Sequence, residues 1–239
     1  MTALPEEEAF VAAMEATWPA AARRQVGPFV IRDGQGGGKR VSAATASGPV
    51  SAAEVDAAET AMRDLGQDRL FMLRPADAEL DQMLARRGYR IIDPVELYAA
   101  PVDLLGPPPG DMEVFPHWPP LAIAADIWAE AGIGPARIAV MTRVTGPRTV
   151  LLARNRDRSV GVAFAAVHEG LVMIHAVEVL PDARRRGVGG QLVRSAAAWG
   201  AAQGGGILGL AVTGANAPAK ALYASLGLRV VGKYHYRQG

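Results

Sequence analysis

The sequence contains no cysteine among its 239 residues, which excludes disulfides, thiolate metal sites and a cysteine nucleophile. Neither sign of charge is in excess, since the formal net charge is +1, so composition does not favour a nucleic acid or an anionic membrane as partner. No run approaches the roughly 18 uncharged apolar residues of a membrane span. Glu6, Glu7 and Glu8 stand where a signal peptide would carry positive charge. We therefore expect a cytoplasmic protein.

The segment Leu105–Gly110 (Leu-Gly-Pro-Pro-Pro-Gly) interrupts the chain near its middle. Three consecutive prolines remove backbone donors and fix φ, so neither a helix nor a strand is expected to cross it. The length of the chain allows two small domains. We predict a first domain over residues 1–104, a Pro/Gly linker over 105–111 and a second domain over 112–239.

The second domain is predicted to be an α/β domain built around one sheet. Apolar residues at helical spacing indicate helices, and short apolar runs indicate buried strands. The predicted helices are 119–130, 135–144, 188–202 and 217–226, and the predicted strands are 149–153, 160–167, 171–180, 207–212 and 228–236. Asn216 is the expected N-cap of the last helix, and Gly227 is its expected C-terminal stop.

The first domain contains a weak echo of the second. A predicted strand at 70–75, a helix ending at Arg87 and a strand opened by Gly88 parallel the elements that lead to Gly227. Such self-similarity predicts two related domains in tandem. Chance is the alternative explanation, because the order strand, helix, glycine, strand is common.

The segment Val177–Gly190 joins the end of a buried strand to a helix opened by two glycines. The first turn of a helix has unpaired N–H groups and the positive end of the helix dipole, so it attracts phosphate. Gly187 and Gly189 would let a pyrophosphate approach the backbone, and Arg184–Arg186 add positive charge. An isolated arginine run is usually a solvated turn or a nucleic-acid patch. The buried strand and the glycine-opened helix on either side weaken that interpretation here.

Two other diphosphate sites do not fit the sequence. A P-loop needs a glycine-rich loop that ends in Gly-Lys-Ser/Thr, and Gly34–Lys39 lacks the hydroxyl residue after its lysine. That segment is better interpreted as a hairpin turn or a flexible loop. A dinucleotide fold needs G-x-G-x-x-G and an acidic residue about 20 positions later, and the glycine spacing after Arg184 is different.

Arg184-x-x-Gly187-x-Gly189 instead resembles the acyl-CoA pyrophosphate loop of the GNAT (GCN5-related N-acetyltransferase) superfamily. Asn216, Ala221–Tyr223 and Leu226–Leu228 follow in the same order and are similar to the family's Asn…Leu-Tyr…Leu-Gly-Phe segment. Leu228 replaces the usual aromatic residue. The resemblance covers about residues 109–239. The loop pattern alone is weak, but together with the strand before it and the Asn/Tyr helix after it, it is specific.

The first domain resembles the degenerate N-terminal half of tandem bacterial GNAT proteins, on segments between Trp18 and Tyr89. There, Val41–Ala44 is expected to match the strand at Gly161–Phe164, and residues 52–65 are expected to match the helix that follows the glycine loop. Only six residues, 45–50, separate the two, too few for a strand and a phosphate loop. Ser51 and Glu54 form a plausible capping box for the helix. We expect this half to be a scaffold that walls one side of the acceptor pocket.

The resemblance implies a mixed-sheet GNAT-like fold and acetyl-CoA as cosubstrate, without a metal. The strand that ends at Glu178–Leu180 would separate from its neighbour, and its backbone would pair with the pantetheine arm. An N–H of Val179 or Leu180 would stabilise the oxyanion formed when an amine attacks the thioester. The resemblance assigns acetyl-CoA binding to Val179, Leu180, Arg184, Arg185, Arg186, Gly187, Val188, Gly189, Gly190 and Asn216. Asn216 would bond the pantetheine or cap its helix, and the two roles are compatible.

The predicted catalytic residues are Tyr223 and Glu178. Tyr223 stands where the family keeps a tyrosine that protonates the departing thiolate, although a half-buried packing aromatic is the alternative. Ala211 occupies the position of the family's usual glutamate base. Glu178 is the nearest substitute, as base or as anchor for the substrate ammonium; water-mediated deprotonation and a salt bridge within the arginine-rich turn are the alternatives. Strict alternation places His175 on the side of the strand opposite to Glu178.

Tyr234–Arg237 is predicted to be a polar, aromatic strand end. Alternation puts Tyr234 and Tyr236 on one face and His235 on the other. By resemblance this strand end would line the acceptor site, and an ordinary edge strand is an equal alternative.

The sequence therefore predicts an enzyme that moves an acetyl or short acyl group from acetyl-CoA to a primary amine of a small molecule or peptide. A non-catalytic acyl-CoA sensor is the second interpretation, which Ala211 favours and Tyr223 opposes. A nucleic-acid binder is disfavoured by the near-zero net charge and the scattered aromatics. No membrane partner is expected, and both a monomer and a homodimer are compatible with the sequence.

Overall fold

The computed structural model describes residues 3–108 and 113–239. The helices are α1 (Glu7–Thr17), α2 (Lys39–Ser42), α3 (Ala52–Asp64), α4 (Ala78–Arg86), α5 (Ala122–Glu130), α6 (Pro135–Thr142), α7 (Val188–Ala202) and α8 (Ala217–Ser225). The strands are β1 (Ala22–Val26), β2 (Phe29–Asp33), β3 (Thr45–Ala46), β4 (Leu70–Leu73), β5 (Arg90–Pro101), β6 (Glu113–His117), β7 (Arg148–Asn155), β8 (Arg158–His168), β9 (Leu171–Val179), β10 (Ile207–Thr213) and β11 (Arg229–Gln238). Within these ranges, no helix combines the length and the apolar character that a membrane crossing requires.

Two compact units are present, and each is assembled from separate stretches of the chain. Unit 1 takes its described residues from Met1–Pro19, Leu97–Val212 and Asn216–Gly232. Unit 2 comprises Ala20–Glu96, Thr213–Ala215 and Lys233–Gly239. The predicted domains at 1–104 and 112–239 are a division of the chain into two related copies. The compact units divide the chain by packing, so they do not test that prediction. Residues 109–112, where the predicted linker ends, lie outside the described part.

Unit 1 is built on a mixed sheet. Its strands follow the order β11, β5, β10, β9, β8, β7, β6, with residues 229–232 of β11 and 97–101 of β5 belonging to this unit. Neighbouring strands from β6 to β9 are antiparallel, whereas β9 and β10 are parallel. This arrangement confirms the predicted α/β fold with a mixed sheet.

Helices cover both faces of the unit 1 sheet. A Cβ on Gly161 of β8 would lie 2.8 Å from the side chain of Val188 on α7, so α7 packs on the face to which residue 161 points. The ring of Trp18, just after α1, packs edge-on against Phe164, three positions further along β8. Side chains alternate along a strand, so α1 lies on the opposite face from α7. The helix α5 also contacts β8 and β9.

Unit 2 contains a separate small core. The strands β1, β2 and β3 form an antiparallel sheet, and β4 pairs antiparallel with residues 235–238 of β11. Helices α3 and α4 bury apolar side chains against these strands. The cluster includes Phe29, Ile31, Val55, Met62, Phe71, Leu73 and Leu84.

Most predicted boundaries in the second half agree with the structure within a few residues. The helix α7 spans the predicted 188–202. The Asn216 side chain caps α8 by accepting a hydrogen bond from the Ala219 N–H at 3.2 Å. In the first half, the predicted capping box is present, since Ser51 and Glu54 exchange side chain to backbone hydrogen bonds.

The predicted strand at Val41–Ala44 is wrong. The chain forms the short helix α2 at Lys39–Ser42 instead, closed by the Ala43 N–H bonding the Lys39 carbonyl at 2.8 Å. The partner of β2 is β3, which pairs Ala46 with Phe29, so residues 41–44 are not needed as a strand. Because β2 is followed by a turn and then a helix, Gly34–Lys39 is a loop and not a hairpin turn.

Candidate active site

The parallel strands β9 and β10 are paired only where they begin. The pairs join Leu171 to Ile207, Val172 to Leu208 and Met173 to Gly209. Beyond them β9 continues for six residues, to Val179, and β10 for four, to Thr213. The strands therefore leave an opening between their carboxyl-terminal ends, which we call the gap. This is the strand separation that the GNAT resemblance implies.

A β-bulge interrupts β9 beside the gap. His175 lies opposite Phe164 of β8, but Glu178 lies opposite Val162, so three steps along β9 match two along β8. Within the bulge, Ala176 has a left-handed φ of +49°. This conformation costs a residue with a Cβ about 1–2 kcal/mol, so other contacts must stabilise the bulge.

The bulge decides the direction of the Glu178 side chain. Directly opposed residues on antiparallel strands project to the same face of the sheet. Val162 and Phe164 share a face, so Glu178 and His175 share that face too, on the side of α1. The prediction that His175 and Glu178 point to opposite sides is wrong, because it assumed an unbroken strand.

His175 is a buried link between β9 and α1. Its Nε2 lies 2.9 Å from the Thr17 hydroxyl, which donates its own proton to the Ala13 carbonyl at 2.6 Å. Because that proton is already used, the His175 Nε2–H is the donor to Thr17. The ring also packs 5.0 Å from Trp18. His175 therefore fixes the start of the bulge and has no free nitrogen at Nε2 for chemistry.

Glu178 lines a pocket of about 70 Å³ between α5 and the end of β9. The lining residues are Ile127, Glu130, Ala131, Glu178, Val179, Leu180, Pro181 and Arg184. Burial raises the pKa of Glu178, and the positive charges of Arg184 and Arg137 partly offset this effect. A carboxyl group whose pKa is raised toward neutrality is a stronger proton acceptor than an ordinary exposed one. The geometry thus gives Glu178 an environment suited to a general base.

The two predicted oxyanion donors have different orientations. The Leu180 N–H donates to the Val160 carbonyl at 3.0 Å, so the sheet already uses it. Hydrogen-bonded and non-hydrogen-bonded pairs alternate along antiparallel strands. Val179, opposite Gly161, therefore turns its N–H and C=O away from β8 and toward the gap. Of the two residues, Val179 has the orientation that an oxyanion donor needs.

The loop that follows β9 contains two residues with left-handed backbone conformation. After a 3₁₀ turn at Pro181–Ala183, Arg185 has φ +63° and Gly187, the N-cap of α7, has φ +84°. Turns of this kind can expose backbone N–H groups to an anion. The first helical bond of α7 runs from the Gln191 N–H to the Gly187 carbonyl at 3.0 Å. The N–H groups of Val188–Gly190 therefore have no acceptor within the helix.

Positive charge surrounds this loop. Arg184, Arg185 and Arg186 are all exposed. The Arg184 Nε–H donates to the Val179 carbonyl at 3.0 Å, which places this side chain on the edge of β9 that faces the gap. Asp182 is paired with Arg158, which lowers the pKa of that carboxyl group and cancels its charge in the loop. The arrangement suits a diphosphate.

Gly187 and Gly189 are each required to be glycine for a different structural reason. No atom lies within 4 Å of a Cβ added to Gly187, whose positive φ is the constraint. A Cβ on Gly189 would lie 2.9 Å from the Leu222 side chain of α8, and one on Gly190 3.7 Å from it. Gly189 therefore lets α7 and α8 pack closely. The sequence did not reveal this contact, because Leu222 is 33 residues further along the chain.

Tyr223 projects from α8 into the same electrostatic environment as Glu178. Its side chain is 6% exposed, and its ring lies 6.0 Å from that of Tyr98. Burial, with a further contribution from the Glu178 carboxylate, raises the pKa of the Tyr223 hydroxyl to about 12. The phenol is therefore protonated throughout the neutral range and can donate a proton. The structure brings these two predicted catalytic residues together from elements far apart in sequence.

The C-terminal strand end has the predicted alternation. The hydroxyls of Tyr234 and Tyr236 lie 3.4 Å apart on one face. His235 and Arg237 bond the Asp81 carboxylate at 2.9 Å and 2.6 Å. These contacts all lie within unit 2, and a role in acceptor binding stays a prediction.

Several residues of the pocket were not singled out from the sequence. Ile127 and Glu130 come from the predicted helix at 119–130, and Ala131 directly follows it, but helical periodicity does not show which strand a helix face will contact. Trp128 belongs to the same helix and donates its Nε1–H to the Ala176 carbonyl at 2.8 Å. A buried tryptophan usually finds a hydrogen-bond partner for its N–H, and this was the available signal.

Comparison with known proteins gives a family and a fold. Residues 119–228 match the family described as the acetyltransferase (GNAT) family. No curated protein matches the chain significantly. A GCN5-related N-acetyltransferase from Kribbella flavida is similar in structure, with a TM-score of 0.72, 20% identity and coverage of 99% of this chain and 96% of that one.

Two further solved structures share this architecture. A functionally unknown conserved protein from Staphylococcus epidermidis has a TM-score of 0.70 and 12% identity, covering 98% of this chain and 97% of its own. A tandem GNAT protein from the clavulanic acid biosynthesis pathway has a TM-score of 0.64 and 15% identity, covering 88% of this chain and 77% of its own. At these identities the similarity shows a shared fold.

Proposed function

We propose that this chain, whose residues 119–228 match the GNAT acetyltransferase family, transfers an acetyl or short acyl group from acetyl-CoA to a primary amine. The family and the fold imply acyl transfer from acyl-CoA. The acceptor amine belongs to a small molecule or a peptide, and the transfer is by direct attack, without a covalent enzyme intermediate.

One observation carries the proposal. A base candidate and an acid candidate, Glu178 and Tyr223, interact electrostatically beside a strand separation into which the Val179 N–H points. The anion-binding loop at Arg184–Gly190 begins directly after this strand. Direct acyl transfer from a thioester needs these four features: a phosphate anchor, an oxyanion donor, a base and an acid.

In the proposed binding mode, the loop holds the pyrophosphate of acetyl-CoA. Two sets of groups would contact the pyrophosphate. The backbone donors are the N–H groups of Val188, Gly189 and Gly190, and the charged donors are the guanidinium groups of Arg184, Arg185 and Arg186. Val179 offers its C=O to the pantetheine arm in the gap and keeps its N–H for the thioester carbonyl oxygen. The Val179 carbonyl now accepts from Arg184, so binding of the arm there frees the Arg184 guanidinium for phosphate.

In the proposed chemical step, the amine nitrogen attacks the thioester carbonyl carbon from the side of the α5 pocket. Glu178 accepts the proton that the amine loses. The Val179 N–H stabilises the negative charge that develops on the carbonyl oxygen. As the C–S bond breaks, Tyr223 gives its proton to the departing thiolate. The products are an amide and free CoA; Glu178 then releases its proton to solvent, and Tyr223 takes one up from solvent.

A second candidate is an acyl-CoA sensor without catalysis. Ala211 of β10 carries no base at the position where the family usually has a glutamate, and this favours the sensor. The raised pKa of Glu178 beside Tyr223 favours the enzyme. A protein that only binds acyl-CoA does not require a proton acceptor next to a proton donor.

The decisive experiment measures free CoA and the acetylated product by mass spectrometry for the full chain with acetyl-CoA and a broad panel of amines. Transfer above the uncatalysed rate, lost in Tyr223→Phe, is the expected result. Micromolar acetyl-CoA binding in calorimetry with no product from any amine would favour the sensor. Absence of acetyl-CoA binding would overturn both proposals.

The division into a degenerate copy at 1–104 and a catalytic domain at 112–239 stays part of the proposal. It is supported by the Arg/Gly loop, which the sequence contains only in the second half. Variants of the full chain are the appropriate test, because a fragment beginning near Gly110 would lack α1 and its Thr17–His175 hydrogen bond.

A further inference from the structure

We propose that Trp128 is a positioning residue for the transfer reaction, and that it acts by holding the β-bulge at Ala176. This inference rests on the proposed acetyltransferase function. Trp128 does not touch the reacting atoms. It determines where Glu178 and the Val179 N–H point.

The contact between Trp128 and the bulge is a direct, partly buried hydrogen bond. The Trp128 side chain is fully buried, and its Nε1–H donates to the Ala176 carbonyl at 2.8 Å. A bulge removes one residue from the ladder of hydrogen bonds between the strands. A carbonyl removed from the ladder needs another donor when it is buried. The indole supplies that donor at the residue with the left-handed φ of +49°.

The bulge determines on which face of the sheet the Glu178 side chain lies. If the pairing of His175 with Phe164 continued without a bulge, Glu178 would lie opposite Gly161. Gly161 faces α7, so the carboxylate would point away from the α5 pocket. The observed pairing of Glu178 with Val162 exists only because of the bulge. A group that stabilises the bulge therefore keeps the proposed base on the acceptor side.

Trp128 also connects the bulge to the wall of the pocket. Ile127 and Glu130 of α5 and Ala131, which caps the end of this helix, line the pocket that contains Glu178. One rigid helix thus provides both the pocket wall and the hydrogen bond that sets the strand. This arrangement fixes the distance between the bound acceptor and Glu178.

The test must separate the indole N–H from the packing of the ring. Replacing Trp128 by 3-benzothienylalanine in the full chain keeps the shape of the ring and substitutes sulfur for the N–H. We expect kcat to fall about tenfold, while the acetyl-CoA Kd and the melting temperature change little. The same replacement at Trp118, whose ring also packs against Phe164, is the matched control. There we expect kcat within about twofold of the wild type.

A second background tests the role of the bulge itself. Glycine adopts a positive φ without strain, so Ala176→Gly makes the bulge less dependent on the indole hydrogen bond. In that background, the benzothienyl replacement at Trp128 should lower kcat less than threefold. A tryptophan with only a packing role would give the same loss of kcat in the wild-type and Ala176→Gly backgrounds, and that result would overturn the proposal. An unchanged kcat after the replacement in the wild-type background would also overturn it.

A readout without activity keeps this inference separate from the proposed function. Cross-strand NMR contacts between the α-protons of Glu178 and Val162 report the bulged register, and contacts between Glu178 and Gly161 report the unbulged one. The replacement at Trp128 should increase the unbulged population or broaden these signals. If the wild type transfers no acyl group, the proposed function fails, whereas retention of a single bulged register after the replacement contradicts the role of Trp128.

Discussion

The Glu178 carboxylate contributes to raising the pKa of the Tyr223 hydroxyl to about 12, although the two residues are 45 positions apart on a strand and a helix. Burial is the larger cause, and the negative charge of Glu178 adds to it because forming a phenolate nearby would be repulsive. This electrostatic coupling bears on the proton transfers proposed for the two residues. At neutral pH Tyr223 therefore keeps the proton that a departing thiolate, whose conjugate acid has a pKa of about 8.5, would take up, while Glu178 is free to accept one.

Tyr223→Phe tests the acid. The ring and its packing against Tyr98 are kept, and only the proton is removed. General acid catalysis is worth about 10²–10⁴ in rate, so kcat should fall by at least tens of fold in single-turnover measurements, while the acetyl-CoA Kd stays within about twofold. A kcat within twofold of the wild type would show that the tyrosine only packs. Equal losses in binding and kcat would make it a cofactor anchor.

The pH dependence of kcat/KM tests Glu178. Only the ionised carboxylate accepts a proton, so activity should fall as pH drops through the Glu178 pKa, which lies above its ordinary value of 4.5. Glu178→Gln should remove this acidic limb and lower kcat. An identical limb in the variant would assign the titration to the acceptor amine or to another group.

The same substitution has a predicted effect on stability. Because the folded protein raises the pKa of Glu178, the folded state disfavours the charged form. The relative stability is highest below the unfolded pKa and is lost as pH rises through the folded pKa. Glu178→Gln should therefore not lower the melting temperature at pH 7. A marked decrease would indicate that the carboxylate makes a stabilising ion pair with Arg184 or Arg137.

Arg184→Ala tests the loop as a diphosphate site. Loss of a charge-assisted contact to phosphate should weaken acetyl-CoA binding about tenfold, roughly 1.4 kcal/mol, and reduce the dependence of Kd on salt. Arg229→Ala, at the exposed start of β11, removes the same charge away from the loop and serves as the control. Equal effects of the two substitutions in calorimetry would show that only the overall charge matters.

Gly189→Ala distinguishes a packing role of Gly189 from a direct role in phosphate binding. The new Cβ would meet Leu222 at 2.9 Å, so the variant should lose about 1–3 kcal/mol of stability by overpacking. Leu222→Ala in the same chain makes room, and the pair should lose less stability than the sum of the two single losses. Acetyl-CoA affinity of the folded variants should change little, because the added methyl group points to α8. A tenfold loss of affinity that the Leu222 substitution does not reverse would assign Gly189 directly to the phosphate site.

The elements that agree with the sequence predictions are those with strong local signals. The helix α7 begins after the Gly187 N-cap and keeps apolar residues on one face, so its bounds follow from periodicity and from one glycine. The cap of α8 follows from the placement of Asn216 before Pro218. Local hydrogen bonding and helix periodicity act within a few residues and are therefore readable from the sequence.

Elements with weak local signals were missed. The helix α1 was not predicted, although Phe10, Ala13, Met14 and Thr17 are buried at helical spacing. The segment Val41–Ala44 is predicted to be a strand, but Val41 and Ser42 end the helix α2, only Ala44 forms a bridge to Phe71, and β3 pairs with β2 instead. Strand pairing is a competition between distant segments, and the pattern of one segment does not show which competitor is paired.

The GNAT resemblance, the phosphate-attracting loop after β9 and the candidates Glu178 and Tyr223 could be read from the sequence, because each depends on residue types in a local order. The three-dimensional packing was needed to show that Glu178 faces the α5 pocket, that Val179 and not Leu180 turns its N–H to the gap, and that Gly189 packs against Leu222. The first two follow from one extra residue at Ala176, which shifts the register of β9 against β8. A bulge is stabilised by contacts from another element, here the Trp128 indole, so strict alternation along the strand could not predict it.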